Sequence, residues 1–161
     1  SPCPVLVVKR QPQGEYKTVL APTDFSEPAR AALRACCTLL PQATLHVAHA
    51  FELPYDGLAR YASVSRTAMS RYRREAHERL HATLIAFADA AGTRPAARVL
   101  RVDHGYAPTM IERWIESIGA DLVVIAAHGR SELESTFLGS VSLHTVQAAP
   151  CDVLLMRAPA G

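Results

Sequence analysis

Three short stretches of this 161-residue chain bring together residue types that could do chemistry. Pro22-Thr23-Asp24 sets a hydroxyl and a carboxylate directly after a short apolar run. Ala126-Ala127-His128-Gly129 closes the most uninterrupted apolar run of the chain, and after nine intervening residues Gly139-Ser140 opens a helical pattern. The start of a helix offers unpaired N–H groups and the positive end of the backbone dipole, which together make an anion site. A glycine there lets the backbone come close to a phosphate, and the serine hydroxyl can cap the helix or donate to that phosphate. The third stretch, His77-Glu78-Arg79-Leu80-His81, spells HExxH. On a helix its two imidazoles could share a Zn²⁺, with Glu78 as the base and a third ligand from elsewhere.

These groups need elements to position them. Lys17–Pro22 reads as a short strand stopped by proline, and Ser26 stands where an N-cap belongs before a helix with Ala29, Ala32, Leu33, Cys36, Leu39 and Leu40 inward. Thr44–Ala50 is a second strand, followed by a loop from Phe51 to about Ser65. A long helix from about Thr67 to Ala91 turns Ala76, Leu80, Thr83, Leu84, Phe87 and Ala91 inward, with Gly92 after its end. Arg98–Val102 alternates as a third strand. Pro108 suits the first turn of a helix with Met110, Ile111, Trp114, Ile115 and Ile118 as its core face, which Gly119 stops. Asp121–Ala127 has the composition of a central parallel strand buried on both faces. A helix from Gly139-Ser140 to Ala148 and a strand Asp152–Met156 complete the chain. Alternation of strand and helix calls for a doubly wound α/β sheet, whose ligands lie beyond the carboxyl ends of the strands where the winding reverses.

Composition narrows the functions. Seventeen Lys and Arg against fifteen Asp and Glu leave a net charge of +2, too small to argue for nucleic acid. The arginines at 66, 71, 73, 74 and 79 are interrupted by Glu75 and Glu78 and read as a solvated helix face. No run of eighteen apolar residues exists to span a membrane. Four cysteines without CxxC spacing read as reduced thiols, so the expected compartment is the cytoplasm. The glycines never form GxGxxG, none precedes Lys-Ser or Lys-Thr, and no GxSxG exists, which argues against a usual dinucleotide oxidoreductase, a Walker ATPase and an α/β-hydrolase. No catalytic residue stands out. Arg130 is the only cation near the phosphate-type loop and no base stands ready to activate water, so any hydrolysis should be slow. The ring of His128 is expected to pack or cap locally. The zinc reading is a distant alternative, because the stripe Ala76, Leu80, Leu84 and Phe87 leaves His77 and His81 at the boundary and no third ligand is apparent.

The order of motifs resembles the universal stress protein family: Tyr16–Glu27, Leu45-His46-Val47, Gly105-Tyr106-Ala107-Pro108, Ala120–Ile125, His128–Ser131, Leu138–Val141 and Ala149-Pro150-Cys151, over about residues 15–158. The resemblance implies a five-stranded parallel sheet in the order 3-2-1-4-5, usually dimeric. It also implies a nucleotide site of the ATP-binding members, whose pattern is G-x-x-G, nine residues, then G-[S/T]. Here Ala126 replaces the first glycine, whereas Gly129, the gap and Gly139-Ser140 fit. By resemblance, Pro22, Thr23 and Asp24 would bracket the adenosine of ATP, ADP or AMP, with Asp24 near the ribose or a Mg²⁺. Val47 would line the adenine pocket. The backbone of His128-Gly129 with Gly139, Ser140, Val141 and Ser142 would hold ribose and phosphates. The alternative is an interaction module that has lost its nucleotide, which Ala126 favours.

One internal repeat stands apart. Pro2-Cys3-Pro4-Val5-Leu6-Val7-Val8-Lys9 reappears as Pro150-Cys151-Asp152-Val153-Leu154-Leu155-Met156-Arg157. Residues 1–10 therefore read as the closing strand of a preceding homologous domain, 11–16 as a linker and 17–158 as the domain itself, the second of a tandem protein. In the resembled family, closing strands of two domains meet antiparallel. Pro4–Val8 is thus expected to add antiparallel to Val153–Met156, within one chain or exchanged between two. The return to the first core strand then crosses three strand spacings, roughly 14–15 Å, and residues 11–16 span about 20 Å when extended.

Overall fold

The computed structural model describes residues 3–53, 65–128 and 138–157. Its elements are β1 (Val5–Val7), β2 (Thr18–Pro22), α1 (Glu27–Leu39), β3 (Thr44–Phe51), α2 (Arg66–Ala90), a 3-10 turn at Pro95–Ala97, β4 (Arg98–His104), α3 (Ala107–Ile118), β5 (Leu122–Ala126), α4 (Ser140–Ala148) and β6 (Asp152–Met156). The caps obey the chemistry of the sequence. Ser26 and Ser65 accept from the backbone N–H of the third residue of α1 and α2, Ala29 and Ala68. Gly119 ends α3 at φ 63°, the left-handed conformation that glycine adopts without steric cost.

The six strands lie in the order β1-β6-β5-β2-β3-β4. All neighbours are parallel except β1 with β6. Counted without β1, the parallel strands run 3-2-1-4-5, as expected. Alternate residues of each strand feed two cores. Val19, Leu45, Val47 and Val124 meet α1 and α2 through Leu33, Cys36, Leu84 and Phe87. Leu20, Ala48, Val123 and Val153 meet α3 through Met110, Ile111, Trp114 and Ile115. Every residue of β5 is buried, as its apolar run predicts. Two helix stripes differ from expectation: Leu39 is exposed at the end of α1, and on α2 Thr83 is exposed while Ala88 is buried. Thr83 spends its hydroxyl on the Arg79 carbonyl at 3.0 Å instead.

The amino-terminal strand lies on β6 of its own chain. Val5 faces Leu155, Leu6 faces Leu154 and Val7 faces Val153. A carboxylate clasps the segment that leads from β1 to β2. Asp152 Oδ1 accepts from the backbone N–H of Lys9 (2.7 Å) and of Arg10 (3.2 Å), and Oδ2 accepts from the Tyr16 hydroxyl (2.7 Å). Lys9 Nζ and Arg10 Nε donate to the carbonyls of Ala149 and Pro150 at 2.7 and 2.6 Å. Burial works to raise the Asp152 pKa, but the hydrogen bonds outweigh it and hold this carboxyl below its ordinary range. Burial and the neighbouring carboxylate together push the Tyr16 phenol up to about 12. Asp121 guides the entry into β2, its two oxygens accepting from Lys17 N–H (2.8 Å) and Thr18 N–H (3.1 Å).

Candidate functional site

The crevice expected at the reversal of winding is present, and the strand pairing explains why it opens. β2 and β3 are in register over five pairs, whereas β2 and β5 are paired only at Val19–Leu122 and Leu20–Val123. Beyond Leu20 the two central strands separate, leaving Pro22 and Ala126 on opposite walls of a cavity of about 420 Å³. Pro22 has no N–H to lose at that edge. The position between two crossovers of opposite direction is where doubly wound sheets bind ligands.

The walls come from every element that ends there. The β2–α1 connection contributes Pro22, Thr23 and Asp24. Its conformation is held locally, with Phe25 N–H donating to Thr23 Oγ1 and Ser26 N–H to Asp24 Oδ1, both at 3.0 Å. Phe25 adopts φ 64°, a strained conformation for a bulky side chain. Its ring stacks on His49 at 4.2 Å between centroids and meets Phe87 edge-on at 5.6 Å. The opposite rim consists of Ala126, His128 and the first residues of α4: Gly139, Ser140, Val141 and Ser142. Gly129 lies outside the described residues, as does Arg130.

The hydrogen bonds at this rim sort available groups from occupied ones. Gly139 N–H donates to the Ala127 carbonyl at 2.9 Å, and Ser142 Oγ donates to the Ala126 carbonyl at 2.7 Å. The Gly139 amide and the Ser142 hydroxyl are thus engaged within the protein. The N–H groups of Ser140, Val141 and Ser142 are the first of α4, have no intrahelical acceptor, and receive no side-chain cap among the described residues. Gly139 sits at φ −60°, a conformation open to any residue, and a Cβ built there would find its nearest atom, the Ala127 carbonyl oxygen, at 3.4 Å. The backbone alone therefore does not require glycine at this position. His128 lines the cavity, yet its Nε2 is buried and has no hydrogen-bond partner among the described residues. Of the packing or local capping expected of this ring, that nitrogen shows burial without a hydrogen bond.

Several wall residues escaped the sequence reading. Val47 is fully buried in the core against α1 and α2 and does not line the cavity. β3 supplies Ala48, His49 and Ala50 instead. The reason is length: Ala48 is level with Pro22, so β3 reaches the rim only after Val47. His49 Nδ1 stands 2.8 Å from the Thr23 carbonyl, an acceptor only, so this nitrogen carries the proton. From α3 come Ile111 and Trp114. Trp114 Nε1 donates to Asp103 Oδ2 at 2.7 Å, which satisfies its polar edge and fixes the ring as an apolar wall. Ala107, two residues after Gly105, also lines the cavity, and a Cβ at Gly105 would press on Met110 Sδ at 2.8 Å.

The HExxH stretch lies elsewhere, on α2, which contributes nothing to the cavity. No group of three or more His, Cys, Asp or Glu suited to a metal exists among the described residues, so the zinc-hydrolase alternative finds no support. No helix among them is long and apolar enough to cross a membrane.

No curated protein matches the chain significantly in sequence. Solved structures do match in fold. The universal stress protein UspA from Lactobacillus plantarum aligns with TM-score 0.64 and 20% identity, covering 90% of this chain and 100% of its own. A putative universal stress protein from Pseudomonas aeruginosa UCBPP-PA14 aligns with TM-score 0.61 and 23% identity, covering 97% of this chain but 52% of its own, about half its length. A universal stress protein solved in complex with cAMP aligns with TM-score 0.57 and 23% identity, covering 89% and 98%. The model of the universal stress protein family matches residues 15–157, nearly the whole of the folded unit, and with that match the chain belongs to the universal stress protein family.

Proposed function

We propose that this domain binds an adenine nucleotide, ATP or its di- or monophosphate, and acts as a nucleotide-dependent regulator in the stress response. The observation that carries the reading is the 420 Å³ crevice at the reversal of winding, which ends on the three uncapped amides of α4. Apolar walls from Ala48, Ile111, Trp114 and Ile125 suit a planar base, and the amides suit a phosphate. Asp24 stands where a carboxylate could meet ribose hydroxyls or a Mg²⁺ carried in with the phosphates. A family member solved with cAMP supports a nucleotide as the ligand class. No lysine or arginine is among the described residues of the wall, which supports binding with at most slow hydrolysis. Four free cysteines are in keeping with a reducing cytoplasm.

The test uses Trp114, the single tryptophan of the chain, as a reporter inside the cavity. Addition of ATP with Mg²⁺ should change its emission and release or absorb heat in calorimetry, and nucleotide released from freshly purified protein should be visible at 260 nm. Silence in all three would remove the nucleotide reading and leave an interaction module.

A separate observation supports the tandem reading. In the repeat, Val5 corresponds to Val153, Leu6 to Leu154 and Val7 to Leu155. In the sheet the partners are Leu155, Leu154 and Val153. The pairing is thus a reflection about the Leu6–Leu154 pair, the register that a two-fold axis through that pair would produce between two copies of one strand. We take β1 as the closing strand of a homologous domain that precedes this one in a longer chain. The full-length gene product, examined by limited proteolysis, should then yield two resistant fragments of similar size.

A further inference from the structure

HExxH lacks a third ligand, but its two histidines remain a pair. His77 and His81 stand one turn apart on the outer side of α2, His77 exposed and His81 partly so. Their rings lie 6.1 Å apart between centroids and within 12° of parallel. Neither has a hydrogen-bond partner among the described residues, and neither belongs to either core. We propose that these two imidazoles form a chelating site for a borderline divalent transition ion, Cu²⁺ before Ni²⁺ or Zn²⁺, with water completing the coordination.

Geometry supports this. Two imidazoles bound side by side to one ion at about 2.0–2.1 Å have centroids about 4.5–5.2 Å apart for cis-planar to tetrahedral angles. The observed rings are stacked, so besides closing by about 1 Å each must turn about its χ angles until both ring nitrogens face one ion, a rotamer change open to side chains on the outer side of a helix. Neutral imidazole is a ligand of the borderline ions, and for a given nitrogen site copper binds most strongly in the first-row order. The surroundings set a limit on affinity. Arg74 and Arg79 on the same helix oppose a cation, while Glu78 and Glu75, the latter paired to Arg71 at 3.3 Å, are the acidic residues beside the pair in sequence. With two ligands and open water positions, the site takes up an ion that exchanges freely, and metalloprotease chemistry is absent. A bound ion would bridge successive turns of α2 and tie metal uptake to the rigidity of that helix. The site shares no wall with the nucleotide crevice, so it stands or falls apart from that reading.

Calorimetry of the chelator-stripped protein with Cu²⁺, Ni²⁺ and Zn²⁺ in a non-coordinating buffer tests it, with Cu²⁺ paramagnetic resonance as the structural readout. One equivalent of Cu²⁺ should bind in the micromolar range, more tightly than Zn²⁺, with a two-nitrogen hyperfine pattern. His77→Gln and His81→Gln should each weaken it by about tenfold or more and leave a single protein nitrogen. Both variants lie on the helix surface, and circular dichroism verifies that they fold. No Cu²⁺ uptake by the unaltered protein, a loss below about threefold in both variants, or a two-nitrogen signal that survives them overturns the assignment. The same titration on Gly139→Asp should match the unaltered protein. A Cu²⁺ affinity changed there in either direction would place the copper in the crevice and equally overturn it.

Discussion

At the level of single residues, the crevice is built from groups whose roles differ from what their type suggests. Gly139 has an ordinary backbone conformation, and a Cβ there would make ordinary van der Waals contact with the Ala127 carbonyl oxygen at 3.4 Å, so a side chain placed there should not harm the fold. Gly139→Asp would supply the side-chain cap that α4 lacks, and aspartate is among the preferred N-cap residues. The same carboxylate would repel a phosphate from the amides of Ser140, Val141 and Ser142. The expected result is an unchanged or slightly raised melting temperature with ATP affinity reduced by about tenfold or more, measured by thermal melts and calorimetry on one preparation. A variant that melts early would mean that the glycine serves the fold. Phe25 presents the reverse case. A left-handed backbone costs an L side chain about 1–2 kcal/mol, and the ring contacts with His49 and Phe87 offset it. Cutting the ring back to alanine loses those contacts and keeps the strain, whereas glycine loses both. Phe25→Gly should therefore be more stable than Phe25→Ala by about 1 kcal/mol in urea unfolding, the reverse of the usual order inside regular structure. Residue types marked Asp24, His128 and the α4 start as chemistry-bearing without further help. His49 and Trp114 were not legible, because their part in the site depends on how far β3 overreaches β2 and on which turn of α3 faces the opening.

Among the elements, the strands and helices could be read with little error, since nearly every boundary carries its own chemical mark. Proline stops β2, serines cap α1 and α2, and Gly119 closes α3. Helix faces were less legible where the stripe is diluted by small residues: on α2, Ala88 rather than Thr83 faces the sheet, a rotation that alanines and threonine scarcely record. The placement of β1 was legible from the repeat, but the clasp behind it was not, because Asp152, Lys9, Arg10 and Tyr16 are far apart in sequence. That clasp has a pH signature with two limbs. The Asp152 carboxyl titrates below its ordinary value when folded, so its contribution is present above that ordinary value, near 3.9, and fades as pH falls through the lowered one. The Tyr16 phenol is raised to about 12, so its contribution holds below the ordinary value near 10 and is lost as pH climbs toward 12. Phenolate absorbance at 295 nm should show a phase near 12 that Tyr16→Phe abolishes. Asp152→Asn should speed hydrogen exchange at Val5–Val7 while β5 stays protected. A mutant in which both strands exchange alike would show the clasp to be part of global stability.

For the molecule as a whole, the decisive feature is the strand at the edge of the sheet, β1 laid antiparallel on β6. If β1 is a second copy of β6 in kind, its outer edge corresponds to the side of β6 that β5 occupies, and a two-fold partner would continue the sheet there. The residues left facing outward agree with an edge meant to be covered. Val5, Leu6 and Val8 are 47%, 45% and 57% exposed, and β1 itself carries none of the charges or prolines that usually guard a free edge. Closed two-fold pairing joins like to like, so the outer edge of β1 has one obvious partner: the β1 of another copy, laid antiparallel edge to edge. Sedimentation velocity across a concentration series should show a reversible dimer. Leu6→Lys, which sets two charges against each other near such an axis while leaving the β6 pairing and the Asp152 clasp intact, should return it to monomer. The same variant should leave any ATP affinity within about twofold, because the crevice opens above β2 and β5, at least two strand spacings or roughly 10 Å from β1. A protein that stays monomeric at every concentration would show that the outer edge of β1 does not recruit a partner, whereas a dimer indifferent to Leu6→Lys would place the contact on another surface.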